Sequence, residues 1–108
     1  MMIDIDCVHP IFRALSERSR LEIVRELLDE PRHVGELVRR TGLGQSLVSH
    51  HLKVLREVGI VTSQRRGPFV YYALAEDGVR ELMETAGGRR AAARRSRAKG
   101  NVKPGGAS

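Results

Sequence analysis

Apolar residues recur at helical spacing through most of the chain and switch to a strand pattern once. Val8, Ile11, Phe12 and Leu15 fall on one helical face, and Pro10 suits a first turn, which predicts a helix over residues 8–15. A second helix is expected from Ser16 or Ser19 to about Glu30, with Leu21, Val24, Leu27 and Leu28 inward and Pro31 ending it. A short helix from Val34 to Thr41 turns Leu37 and Val38 inward and is broken by Gly42. A longer one from about Gln45 to Val58 places Val48, Leu52, Leu55 and Val58 on one side, and Gly59 closes it.

Beyond Gly59 the period shortens. The β-rich runs 60–65 and 69–74 flank Arg66-Gly67-Pro68 and read as a hairpin. A last helix, about Glu76 to Ala86, would bury Val79, Leu82 and Met83. The expected fold is mainly α with a β-hairpin, in the order α-α-α-α-β-β-α. Its middle is a helix-turn-helix followed by a two-stranded wing, in which the second helix of the pair enters the DNA major groove.

At 108 residues, 41% hydrophobic and 30% charged, the chain can bury one modest core. It carries 19 Lys and Arg against 13 Asp and Glu, which points to a polyanionic partner. The excess lies in one place: Arg89, Arg90, Arg94, Arg95, Arg97, Lys99 and Lys103 are cations in a stretch without acids, and residues 1–88 have a net charge of −1. Three regions follow: an N-terminal arm, 1–7; a winged-helix body, 8–88; and a basic tail, 89–108, expected to be disordered because only Val102 is a large apolar residue. The tail reads equally well as a phosphate-binding arm and as a solubilising extension.

The lone Cys7 excludes an internal disulfide and fits a reducing cytosol. No apolar run is long enough for a membrane helix, and the acidic N-terminus is unlike a signal peptide, so a cytoplasmic protein is expected. No Ser-His-Asp context or phosphate-cradling glycine loop supports an enzyme.

With the Val48/Leu52/Leu55 stripe inward, Gln45, Ser46, Ser49, His50 and Lys53 occupy the opposite flank of the 45–58 helix. Gln reads adenine edges bidentately, Ser contacts either type of base edge, and Lys53 suits a phosphate. Arg65 and Arg66 at the wing tip fit a DNA backbone or a narrow minor groove, and Arg39 and Arg40 could add phosphate contacts. His51, one position on, falls at the core edge. A winged helix turned to RNA or protein is the competing reading, but Phe69, Tyr71 and Tyr72 lie in wing strands where packing uses them better.

The stretches 12–24, Phe-Arg-Ala-Leu-Ser-Glu-Arg-Ser-Arg-Leu-Glu-Ile-Val, and 45–61, from Gln45 through Ser49-His50-His51-Leu52 to Val61, resemble ArsR/SmtB-type transcriptional regulators. The wing exit Val70-Tyr71-Tyr72-Ala73-Leu74 does too, so the likeness covers roughly residues 8–86. It implies a winged-helix homodimer joined through its first and last helices. It further implies double-stranded operator DNA as partner and, usually, repression relieved by a signal.

Many relatives sense metals. The resemblance puts His33 and Gly35 where a Cys-x-Cys pair stands in one family site, with Glu36 adjacent. In a second site the matching positions are Glu76, Gly78, Arg89 and Ala92, of which only Glu76 is a ligand. Some relatives complete the first site with N-terminal ligands from the opposite subunit, and a set built in that way from Cys7, His9 and His33, with Glu36 or Asp6, would suit Zn²⁺ or Ni²⁺. The alternatives are control by a partner protein or by oxidation of Cys7 without a metal.

Overall fold

The computed structural model describes residues 1–101, and the end of the expected disordered tail, 102–108, lies outside them. In chain order the elements are α1 (Ile5–Leu15), α2 (Arg18–Glu26), β1 (Arg32–His33), α3 (Val34–Thr41), α4 (Gln45–Glu57), β2 (Val61–Arg66), β3 (Phe69–Leu74), α5 (Asp77–Glu84) and α6 (Arg90–Asn101), with a π-helical turn at Thr85–Arg89 between the last two. The chain divides into two units, residues 1–77 and 78–108.

Helix α1 starts earlier than its apolar spacing predicts. The Asp4 carboxylate accepts the Asp6 N–H at 2.9 Å, which satisfies a free first-turn donor and carries Ile5, Asp6 and Cys7 into the helix. Two expectations are thereby corrected: residues 5–7 are not an arm, and Pro10 lies inside the helix rather than in its first turn. Helix α2 is capped by Glu17, not by Ser16 or Ser19. Glu17 Oε1 accepts the Ser19 N–H at 2.5 Å, while the Ser16 hydroxyl donates back to the Arg13 carbonyl at the end of α1. It stops at Glu26, short of Pro31, because the Leu27 N–H is shared between the Ile23 and Val24 carbonyls in a tightened last turn.

The helix-turn-helix matches its expected bounds. Gly42 ends α3 at φ 77°, and Gly59 follows α4 at φ 82°, left-handed values open to glycine without strain. The wing pairs β2 with β3 antiparallel, Arg66 opposite Phe69. Positive φ at Gly67 followed by Pro68 fits a type II′ turn; proline excludes type I′, which needs positive φ at both central positions. The unforeseen element is β1, whose two residues pair with β3 and make a three-stranded sheet of order β1-β3-β2.

The core of the first unit draws on every helix there: Leu15, Ile23, Val24, Leu27, Leu37, Val48, Leu52 and Leu55, closed by Ile60 and Val61. Ile23, fully buried, was not among the expected inward positions, whereas Leu21, Leu28, Val38 and Val58 are only half-buried. Arg40 Nε lies 2.6 Å from Glu26 Oε1 and braces α3 against α2, and the carboxylate raises that guanidinium's pKa further.

In the second unit α5 buries none of its residues; Leu82, an expected core position, is 45% exposed, and Val79 and Met83 are half-buried. Where disorder is expected from residue 89, the chain continues as α6. Its alanines and arginines have high intrinsic helix propensity, so apolar burial is not what holds it. Among the described residues no helix is long and apolar enough to cross a membrane.

Candidate nucleic-acid interface

Helix α4 has one buried flank and one open flank. Val48 and Leu55 are fully buried and Leu52 is 1% exposed, while Gln45, Ser46, Ser49, His50 and Lys53 are all exposed. The division follows from the 3.6-residue repeat, since the buried positions share one stripe against the core. No side chain caps the start of α4 at Gly44, so its first turn presents backbone N–H groups that suit an anionic oxygen. The far end is tied to the wing, where Arg56 Nη1 donates to Ser63 Oγ at 3.3 Å.

The cations expected to flank this helix differ in how free they are. Arg39 is exposed at the end of α3, whereas Arg40 is committed to Glu26. Arg65 is exposed at the wing and makes a long contact to the Gly67 carbonyl at 3.4 Å. Arg66 lies over the Tyr71 ring with its guanidinium carbon 5.0 Å from the centroid. Alternation along the strands gives one face of the sheet Gln64, Arg66, Phe69, Tyr71 and His33.

The candidate metal ligands do not converge within the chain. Cys7 and His9 lie exposed on α1, with Cys7 Sγ 3.5 Å from Asp4 Oδ2. His33 and Glu36 instead form a capping box at the start of α3. His33 Nδ1 accepts the Glu36 N–H at 3.4 Å, and Glu36 Oε1 accepts the His33 N–H at 3.1 Å. Among the described residues no three His, Cys, Asp or Glu side chains gather as a metal would require. Within one chain these donors stand as two separate pairs, one on α1 and one at the start of α3.

The feature that sequence reasoning underestimated is His51. It points into the body at 4% exposure, on the buried side of α4. Its Nδ1 is 3.4 Å from Arg20 Nη1 and its Nε2 is 3.2 Å from Glu17 Oε2, too far off line for a hydrogen bond. Burial pushes its pKa below the ordinary histidine value; Glu17 opposes that shift, and Arg20 and His50 add to it. Its partners are about thirty residues earlier in the chain, so local spacing carries no signal for them.

A profile described as bacterial regulatory protein, arsR family, matches residues 17–63. The chain is 42% identical over 72 residues to the transcriptional repressor SmtB of Mycobacterium tuberculosis, covering 67% of this chain and 53% of that protein. It is 36% identical over 74 residues to the transcriptional activator HlyU of Vibrio cholerae, covering 68% of each. It thus spans about half to two-thirds of the length of these curated relatives. Its fold resembles the homodimeric winged helix-turn-helix DNA-binding domain of a possible ArsR-family regulator from Mycobacterium bovis, at TM-score 0.71, 29% identity and 76% coverage of both chains. With its helix-turn-helix, its wing and these relatives, the chain belongs to the ArsR family of bacterial transcriptional regulators, which are not enzymes.

Proposed function

We propose that this chain is a sequence-specific regulator that binds operator DNA as a homodimer and represses transcription. The observation that carries the reading is the two-sided character of α4. Five hydrogen-bonding side chains, Gln45, Ser46, Ser49, His50 and Lys53, stand open on one flank while the other is locked into the core. A rod of that kind matches a major groove, with Gln45, Ser49 and His50 meeting base edges and Lys53 a phosphate. Arg39, Arg65 and Arg66 supply backbone contacts, with Arg40 secondary because Glu26 already engages it.

Dimerisation is supported by unpaired apolar surface: Ile5 and Phe12 on α1 are 69% and 57% exposed, and Leu82 on α5 is 45% exposed. A two-fold pair of α4 helices would read half-sites about one DNA turn apart. Repression follows the more similar of the two relatives, SmtB, over the activator HlyU. The test is a gel shift of the full chain on DNA upstream of its own coding sequence against random duplex at about 150 mM salt. Preference for the upstream DNA as a dimer is expected; equal affinity for both overturns the reading.

A further inference from the structure

We propose that His51 is a positioning residue for DNA reading: its ring sits between Arg20 and Glu17 at the start of α2, and protonation of that ring exchanges its contact with Arg20 for one with Glu17, turning α4. The inference rests on the operator-binding reading and adds a control to it. Only one tautomer suits the site. Nδ1 faces the Arg20 guanidinium, which can only donate, so Nδ1 must be the bare acceptor and the proton sits on Nε2, opposite the Glu17 carboxylate.

A second proton, taken from solvent, has only Nδ1 to join. That turns the acceptor into a donor aimed at another donor, and sets two positive charges at the 3.4 Å separation of Nδ1 and the Arg20 guanidinium. Arg20 cannot swing away cheaply, because its Nε donates to the Ala14 carbonyl at 2.7 Å. The other groups acting on the ring are Glu17, which favours the cation, and His50, whose ring centroid is 5.5 Å away and which disfavours it. Nε2 is the buried side-chain polar atom without a hydrogen bond among the described residues, so the ring has a direction in which to turn, toward Glu17, once Arg20 repels it. Ser49 and His50 precede His51 directly, so a rotation of α4 about this point shifts the side chains that meet base edges.

The experiment uses a duplex selected from a random pool by the full chain and a scrambled duplex of the same length. The affinity ratio is measured from pH 7.5 to 5.5 at fixed salt for the natural chain, His51→Gln and His51→Asn. His50 is present in all three and cancels in the comparison. The natural chain is expected to lose ratio progressively as pH falls over that span, because the state that reads DNA binds this proton less readily than the state with α4 turned. The variants should fall less steeply, showing only the slope common to all three chains. Superimposed profiles overturn the proposal. Should neither variant fold, nitrogen-15 NMR of the natural chain decides: His51 must be the neutral Nε2–H tautomer at pH 7.5 and must take its proton as the ratio falls. A doubly protonated His51 at pH 7.5 or a ratio indifferent to its titration overturns it. If no duplex is preferred at pH 7.5, the operator reading and this proposal fall together.

Discussion

The ring of His33 stacks on the ring of Phe69, centroids 4.7 Å apart and planes 16° from parallel, joining the first residue before α3 to the wing. Tyr71 meets His33 edge-on at 5.4 Å, so a cap of the helix-turn-helix is also the footing of the hairpin. Phe69 is half exposed, and Phe69→Ala should cost only about 1 kcal/mol of stability. The same change should weaken operator binding through a less well-held wing. Melting temperature and operator affinity, measured together, check this; a variant that binds as tightly as the natural chain refutes the footing.

Replacing Ser49 and His50 together with Ala removes two exposed polar groups from α4. Operator preference should collapse, with salt-dependent binding to any duplex retained, because phosphate contacts carry no sequence information. Competition assays with specific and random DNA measure it, and an unchanged ratio means the groove-facing flank is misassigned.

Deleting residues 89–108 removes seven cations and no acid. The slope of log affinity against log salt should flatten by about 0.9 for each phosphate that the tail neutralises, while sequence choice and dimer mass persist. Loss of sequence choice would mean that the tail reads bases.

Stability should decline in acid through His51. Its folded pKa lies below the unfolded one, so the unfolded chain binds the proton more readily. The contribution vanishes above the ordinary value of about 6.5 and turns unfavourable as pH falls beneath it. Thermal melts from pH 8 to 5 should therefore show a steeper fall for the natural chain than for His51→Gln.

Leu55→Ala empties a fully buried position between α4 and its neighbours. A loss of about 2–5 kcal/mol is expected in urea unfolding. A loss below about 1 kcal/mol would show that α4 does not anchor the core.

Much of this architecture is legible locally. Gly42 and Gly59 announce the ends of α3 and α4, and the Gly67-Pro68 pair announces the hairpin, because backbone conformation there depends on the residue itself. The open flank of α4 follows from periodicity alone. What sequence spacing leaves out depends on partners distant along the chain. Two-residue β1 exists because β3 accepts it, and His51 looks like an edge residue until Glu17 and Arg20 are placed beside it. Helix α6 was readable from its alanines and arginines, but a composition poor in large apolar residues argues against order when burial is taken as the sole source of it. The starts of α1 and α2 depend on Asp4 and Glu17 capping through their carboxylates, and apolar spacing is silent about caps.

With β1 sealing one side of β3, the sheet of the first unit keeps β2 as an uncovered border, and that border ends in Gln64, Arg65 and Arg66. Exposed strand borders invite stray chains to add on, and like-charged side chains repel a second copy of the same border. The arginines proposed to hold a nucleic acid would thus also keep unbound molecules from sticking wing to wing, so replacing them with neutral β-formers would trade solubility away along with affinity.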